Sequence, residues 1–112
     1  MSSVNRRRGE VAARIDGRDY TLCLTLGALA ELEDAFAADD LGELATRFSS
    51  GRLSARDMLR VIAAGLRGGG HAVSEEDVRA MRCDEGAAGF ARTVSALLMA
   101  TFGGSEEPPQ NP

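Results

Sequence analysis

The chain has 112 residues, enough for one domain with one modest core. Its net charge of −4 argues against a general nucleic-acid binder, which carries a basic patch and a positive total. No apolar run approaches the ~20 residues needed to cross a bilayer, and no hydrophobic segment follows the arginines of MSSVNRRRGE, so neither a membrane span nor a secretory leader is expected.

Aromatic residues are scarce, at 4%, and Trp is absent, so the core must be built from Leu, Val, Ile, Met and Ala. That composition favours closely packed helices. All 13 basic residues are Arg, which carries no functional message by itself. Cys23 and Cys83 lie sixty positions apart without a CxxC pair, as expected of reduced, buried thiols in a cytoplasmic protein.

Residues 1–8 are polar and basic and are expected to form a flexible tail, with Arg6, Arg7 and Arg8 solvated. From Glu10 to Leu24 the pattern has period two. Val11, Ala13 and Ile15 alternate with Ala12 and Arg14, and Tyr20, Leu22 and Leu24 alternate with Thr21 and Cys23. Asp16-Gly17 between these runs suits a type I′ turn, which needs positive φ at both central residues. A β-hairpin is expected, with strands near 9–15 and 18–24. Its outer edges are possible docking sites for a partner strand.

Thr25 caps an expected helix running to Phe36, with Leu26, Leu29, Leu32 and Phe36 facing inward. Asp40 and Glu43 make a capping pair for a short helix with the stripe Leu41, Leu44, Ala45 and Phe48. The stretch LSARDMLRVIAAGLRGGG, from Leu53 to Gly70, then reads as the central helix. Ser54 caps it, Asp57 sits three residues on, and Leu53 and Met58 can staple the entry. The glycines after Arg67 stop it where left-handed or extended backbone is needed. Ala55, Met58, Leu59, Ile62 and Leu66 form its apolar arc, with Val61 on the flank, and Arg56, Arg60 and Arg67 form a basic stripe opposite. Ser74 and Asp77 repeat the capping device twenty residues later, opening a short helix that ends near Arg82. Asp84-Glu85-Gly86 opens the last helix, whose apolar face is Ala87, Phe90, Ala91, Val94, Leu97, Leu98 and Phe102. The fold class is therefore α+β, mainly α: an N-terminal β-hairpin followed by about five short helices in a compact array. One globular domain is expected over residues 9–103, with 104–112 a disordered tail.

No catalytic or metal site emerges from these residues, and no cofactor is implied. His71, the only histidine, follows a triple glycine in what reads as a mobile surface loop, with no serine elbow beside it. One His and two distant Cys lack zinc spacing, and the acidic groups sit in first helical turns, where the macrodipole already favours them. Gly68-Gly69-Gly70 lacks the Gly-Lys-Ser/Thr of a phosphate loop. The positive signals are surfaces. Arg56, Arg60 and Arg67 can meet an acidic partner helix or simply be solvated, and Met99, off its helix's apolar arc, suits adaptable partner binding or plain core filling.

The segments GEVAARIDGRDYTLCLTLGALAELEDAF, LSARDMLRVIAAGLRGGG and GAAGFARTVSALLMATF resemble the small gene transfer agent family, grouped with the tail assembly chaperones of long-tailed phages. The resemblance spans roughly Arg8 to Gly103. Its most specific pieces are Leu26 to Glu33 and Gly65 to Gly69. It implies a non-catalytic, prophage-derived tail assembly chaperone in the cytoplasm, binding the tape measure protein, with the tail tube protein as a second candidate partner. Self-association is a further possibility; direct nucleic-acid or membrane contact is not expected. The alternative is a structural component of the tail tube. The chaperone reading is preferred because a tube wall is expected to need a larger β-sheet than one hairpin.

Overall fold

In the computed structural model the described residues are 9–103, so the expected tails at 1–8 and 104–112 lie outside them. Two strands, β1 (Glu10–Ile15) and β2 (Arg18–Cys23), precede five helices: α1 (Leu26–Phe36), α2 (Leu41–Ser49), α3 (Ala55–Gly68), α4 (Glu75–Arg79) and α5 (Gly86–Phe102). The α+β, mainly helical architecture is the expected one.

The hairpin is antiparallel, with Val11 opposite Leu22 and Ile15 opposite Arg18. Asp16 (φ 56°) and Gly17 (φ 73°) both take the left-handed conformation that a type I′ turn demands. Val11, Ile15, Leu22 and Leu24 are buried on one face, while Ala12 and Arg14 are exposed on the other. Asp16 also anchors the turn to the chain beyond α4. Its N–H donates to the Arg82 carbonyl at 2.7 Å, and its side chain accepts from the Arg82 N–H at 3.0 Å. Cys83 bridges to Ile15 at the same place, and its thiol donates to the Arg14 carbonyl at 3.7 Å. The turn end of β1 is therefore not an open edge.

The helix starts are written locally. Thr25 Oγ1 accepts from the Ala28 N–H, and Asp40 Oδ1 from the Glu43 N–H. Ser54 with Asp57 and Ser74 with Asp77 form complete capping boxes, each Ser side chain taking the third backbone N–H while the Asp carboxylate takes the Ser N–H. Each such cap contributes about 1 kcal/mol.

Helix α3 is the hub, in contact with β2, α1, α4 and α5. Its middle, Val61 to Leu66, is buried on every side. The glycines that follow differ from the expectation. Gly68 is still helical, Gly69 has φ −84°, and only Gly70 (φ 99°) needs left-handed backbone. Their smallness serves contact instead. A Cβ at Gly68 would collide with the Cys23 carbonyl, one at Gly69 with the Thr21 carbonyl, and one at Gly65 would press on Leu97 and Leu22. In this register the carbonyls of Thr21 and Cys23 point away from β1. The end of α3 therefore seals the outer edge of β2.

Four faces are corrected. Leu26, expected inside, is 76% exposed at the first position of α1, and Leu41 is exposed at the start of α2. Both precede the turn at which their helices meet the core. Ala55 is likewise exposed, because the first turn of α3 projects beyond its neighbours. In α5 the buried line runs through Gly89, Thr93, Val94 and Leu97, and Ala87 and Ala91 face solvent. The helix is rotated toward β1. Gly89 has room only for a hydrogen beside the Cys83 sulfur, and Thr93 enters the core by donating its hydroxyl to the Gly89 carbonyl at 3.0 Å.

Gly68→Ala and Gly69→Ala should each destabilise the fold by at least the upper end of the roughly 1–3 kcal/mol that overpacking costs. Gly27, with only the Thr25 hydroxyl nearby at 3.9 Å, is the control. Gly27→Ala should stabilise by up to about 1 kcal/mol. Urea midpoints of the three variants against the parent chain check this.

Candidate interaction surfaces

The basic stripe expected on α3 is divided by its surroundings. Arg67 is occupied within the chain, with one nitrogen on Glu31 at 2.5 Å and the other on the Val73 carbonyl at 3.0 Å. Arg60 donates to the Ala35 carbonyl at 3.4 Å. Both fasten α3 to its neighbours, α1 in each case. Arg56 is exposed and makes no ion pair among the described residues.

Arg56 instead lines a groove of about 390 Å³ between α3, α4 and the start of α5. The groove is lined by apolar side chains, Met58, Leu59, Ile62, Met81 and Phe90 among them, and Arg79 stands on it as Arg56 does. Arg52, just before α3, and Arg82, just after Met81, flank it in sequence. Among the described residues none of these four arginines has a carboxylate within ion-pair distance. Arg14, Arg47, Arg67 and Arg92 are paired, with Asp19 and Asp84, Asp57, Glu31 and Glu85 respectively. The spacing of Arg56 was legible in the sequence; the contribution of Arg79 from another helix was not.

Met99 lies elsewhere, 62% exposed on α5. It borders two grooves. One, of about 580 Å³, runs between β1 and α5 past Ala12, Arg92 and Ala96. The other, of about 540 Å³, runs between α2 and α5 past Phe48, Leu98 and Phe102. The four residues singled out from the sequence thus do not converge: Arg56 belongs to one groove, Met99 to two others, and Arg60 and Arg67 to the α1–α3 seam.

His71, in the link between α3 and α4, is half-buried rather than a surface side chain. Its N–H donates to the Leu66 carbonyl at 2.9 Å, and its ring stands edge-on to Tyr20 with centroids 4.9 Å apart. Its Nε2 is buried without a hydrogen-bond partner. The two cysteines are thiols and are half-buried. Among the described residues no three His, Cys, Asp or Glu side chains gather as a metal site, and no helix is long and apolar enough to cross a membrane.

Residues 8–104 match the family model described as phage tail tube protein, GTA-gp10. The chain belongs to that family. No curated protein and no solved structure matches it. The family match agrees with the resemblance to gene transfer agent and phage tail proteins and corrects its finer half. A chaperone of the tape measure protein was expected, and the match is to a tail tube family instead. The error lay in treating the two-stranded sheet as too small for a tube component. Subunits also associate through helical grooves and charged rims, and this member of the tail tube family carries both.

His71→Phe keeps the ring on Tyr20 and removes the unpartnered Nε2, so stability should be unchanged or raised, whereas His71→Ala should lose about 1 kcal/mol or more with the stacked ring. Thermal unfolding of both variants distinguishes this packing role from a surface one.

Proposed function

We propose that the chain is a non-catalytic structural component of the tail tube of a phage-like, gene transfer agent particle, acting by association with other tail proteins and with further copies of itself. The observation that carries this reading is the family match across residues 8–104, nearly the whole chain. The surfaces support it. Three shallow grooves with apolar linings lie on one small molecule, and one of them is lined by Arg56 and Arg79, which have no carboxylate within ion-pair distance among the described residues. Such surfaces suit adhesion, in which exposed Met and aromatic side chains supply contact area and a charged rim sets orientation.

The work is done in the cytoplasm of the producing cell, where the tail is put together, and without turnover of a substrate. His71, the one imidazole, serves the fold through Tyr20 and the end of α3.

Quantitative mass spectrometry of purified, tail-bearing particles tests the proposal. A structural component should be retained at a copy number comparable to that of other tube proteins. Its absence from intact particles would sink the reading. His71→Phe should leave particle yield unchanged; a loss of yield with normal stability would point to a chemical role for the imidazole.

A further inference from the structure

The arginine-rimmed groove has a counterpart on the same chain. The corner where α1 passes into α2 carries Glu33, Asp34, Asp39, Asp40 and Glu43 within eleven residues, with Leu41 exposed among them. Ala37 (φ 55°) makes the tight turn that brings the two helices together there. Asp40 and Glu43 are partly used at the cap, Asp40 on the Glu43 N–H and Glu43 on the Asp39 N–H. None of the five carboxylates meets an arginine within ion-pair distance among the described residues. The corner thus sets an exposed apolar side chain among carboxylates, with Arg47 over the Phe36 ring and Arg60 on the Ala35 carbonyl as its cationic neighbours. The α3–α4–α5 groove is the reverse, an apolar trough of Met58, Leu59, Met81 and Phe90 under Arg56 and Arg79.

We propose that the α1–α2 corner of one copy docks in the α3–α4–α5 groove of the next, with Leu41 entering the trough and Asp34 and Asp39 facing Arg56 and Arg79. This inference rests on the tail tube reading and names the self-contact within it. The two surfaces share no residue, so the contact is head-to-tail. Each copy that docks leaves one corner and one groove unused. Such an interface propagates into a closed ring or an open filament according to the rotation it imposes, whereas a two-fold contact stops at a dimer. Its charges are complementary at an exposed rim, so they set register and encounter rate and are screened by salt.

The test uses the full chain in sedimentation velocity, parent and variants over a concentration series at low and high salt. The parent should associate and do so less at high salt. Arg56→Glu with Arg79→Glu damages only the groove. Asp34→Arg with Asp39→Arg damages only the corner and spares the Asp40 cap. Each double variant alone should associate roughly ten- to a hundred-fold more weakly than the parent, as expected when rim pairs become like charges. Mixed one to one, they should regain association, because the intact corner of one fits the intact groove of the other and the two reversed rims, a basic corner and an acidic groove, again carry opposite charge. That recovery also shows that both variants are folded. A parent that stays monomeric at every concentration would overturn the inference. So would association that neither variant weakens, or mixtures that associate no better than either variant alone. These outcomes are separate from the particle assay, since a chain retained in tails can be held there by other tail proteins alone.

Discussion

The structure depends on a backbone-to-backbone contact. The end of α3 lies so close to β2 that only hydrogen fits at Gly68 and Gly69, where any side chain would strike the Cys23 or Thr21 carbonyl. Gly65 keeps the same clearance one turn earlier, against Leu22 and Leu97. This seam fixes the direction of the most deeply buried helix relative to the hairpin. It buries Val61 to Leu66 on all sides, and it covers the carbonyls that β2 would otherwise present to solvent. An open strand edge invites pairing with any other chain, so covering it has a value beyond stability.

The same seam decides where α3 can be useful. Its second half is consumed by β2, α1 and α5. Its first half, from Ala55 to Arg60, is only partly covered and offers Met58, Leu59 and Arg56 to the groove shared with α4 and α5. A short α4, held by its capping box and by Val78 in the core, supplies the opposite wall with Arg79. The link from α4 to α5 is in turn held to the hairpin by Asp16, through both bonds to Arg82. The groove is therefore built on elements tied to the core at each end, which suits a surface that must keep its shape before a partner arrives.

What was legible in the sequence was local. The Asp16-Gly17 turn, the alternation of the strands, and the caps at Thr25, Asp40, Ser54 and Ser74 each depend on a few neighbouring residues, and each is where it was expected. What was not legible depends on which element lies alongside. Periodicity alone makes Ala87 and Ala91 as good a core face for α5 as Gly89 and Thr93. The choice is made by β1 and by the Cys83 sulfur, which leave room for a glycine and for a threonine bonded back to its own helix. A glycine run reads as a helix stop, yet here one of the three stops the helix and two make a contact. The arginines follow the same rule. Helical spacing puts Arg56, Arg60 and Arg67 in one stripe, but whether a guanidinium is occupied depends on Glu31, Val73 and Ala35, none of which its own helix reveals.

The size of the sheet was the weakest ground for choosing among tail proteins, for a physical reason. Strand count within one chain limits what that chain can pair through its backbone, and here both strands have edges partly or wholly covered, β2 by α3 and the turn end of β1 by Cys83. It does not limit association through side chains. On a chain with net charge −4, Arg56 and Arg79 line one apolar trough without a carboxylate in ion-pair distance among the described residues, while acidic residues accumulate around Leu41 at another corner. Ion pairs within the molecule are made elsewhere, at Arg14, Arg47, Arg67 and Arg92. Under the proposed contact these separated charges meet between molecules, and a helical surface then does for assembly what a strand edge does in larger-sheeted subunits.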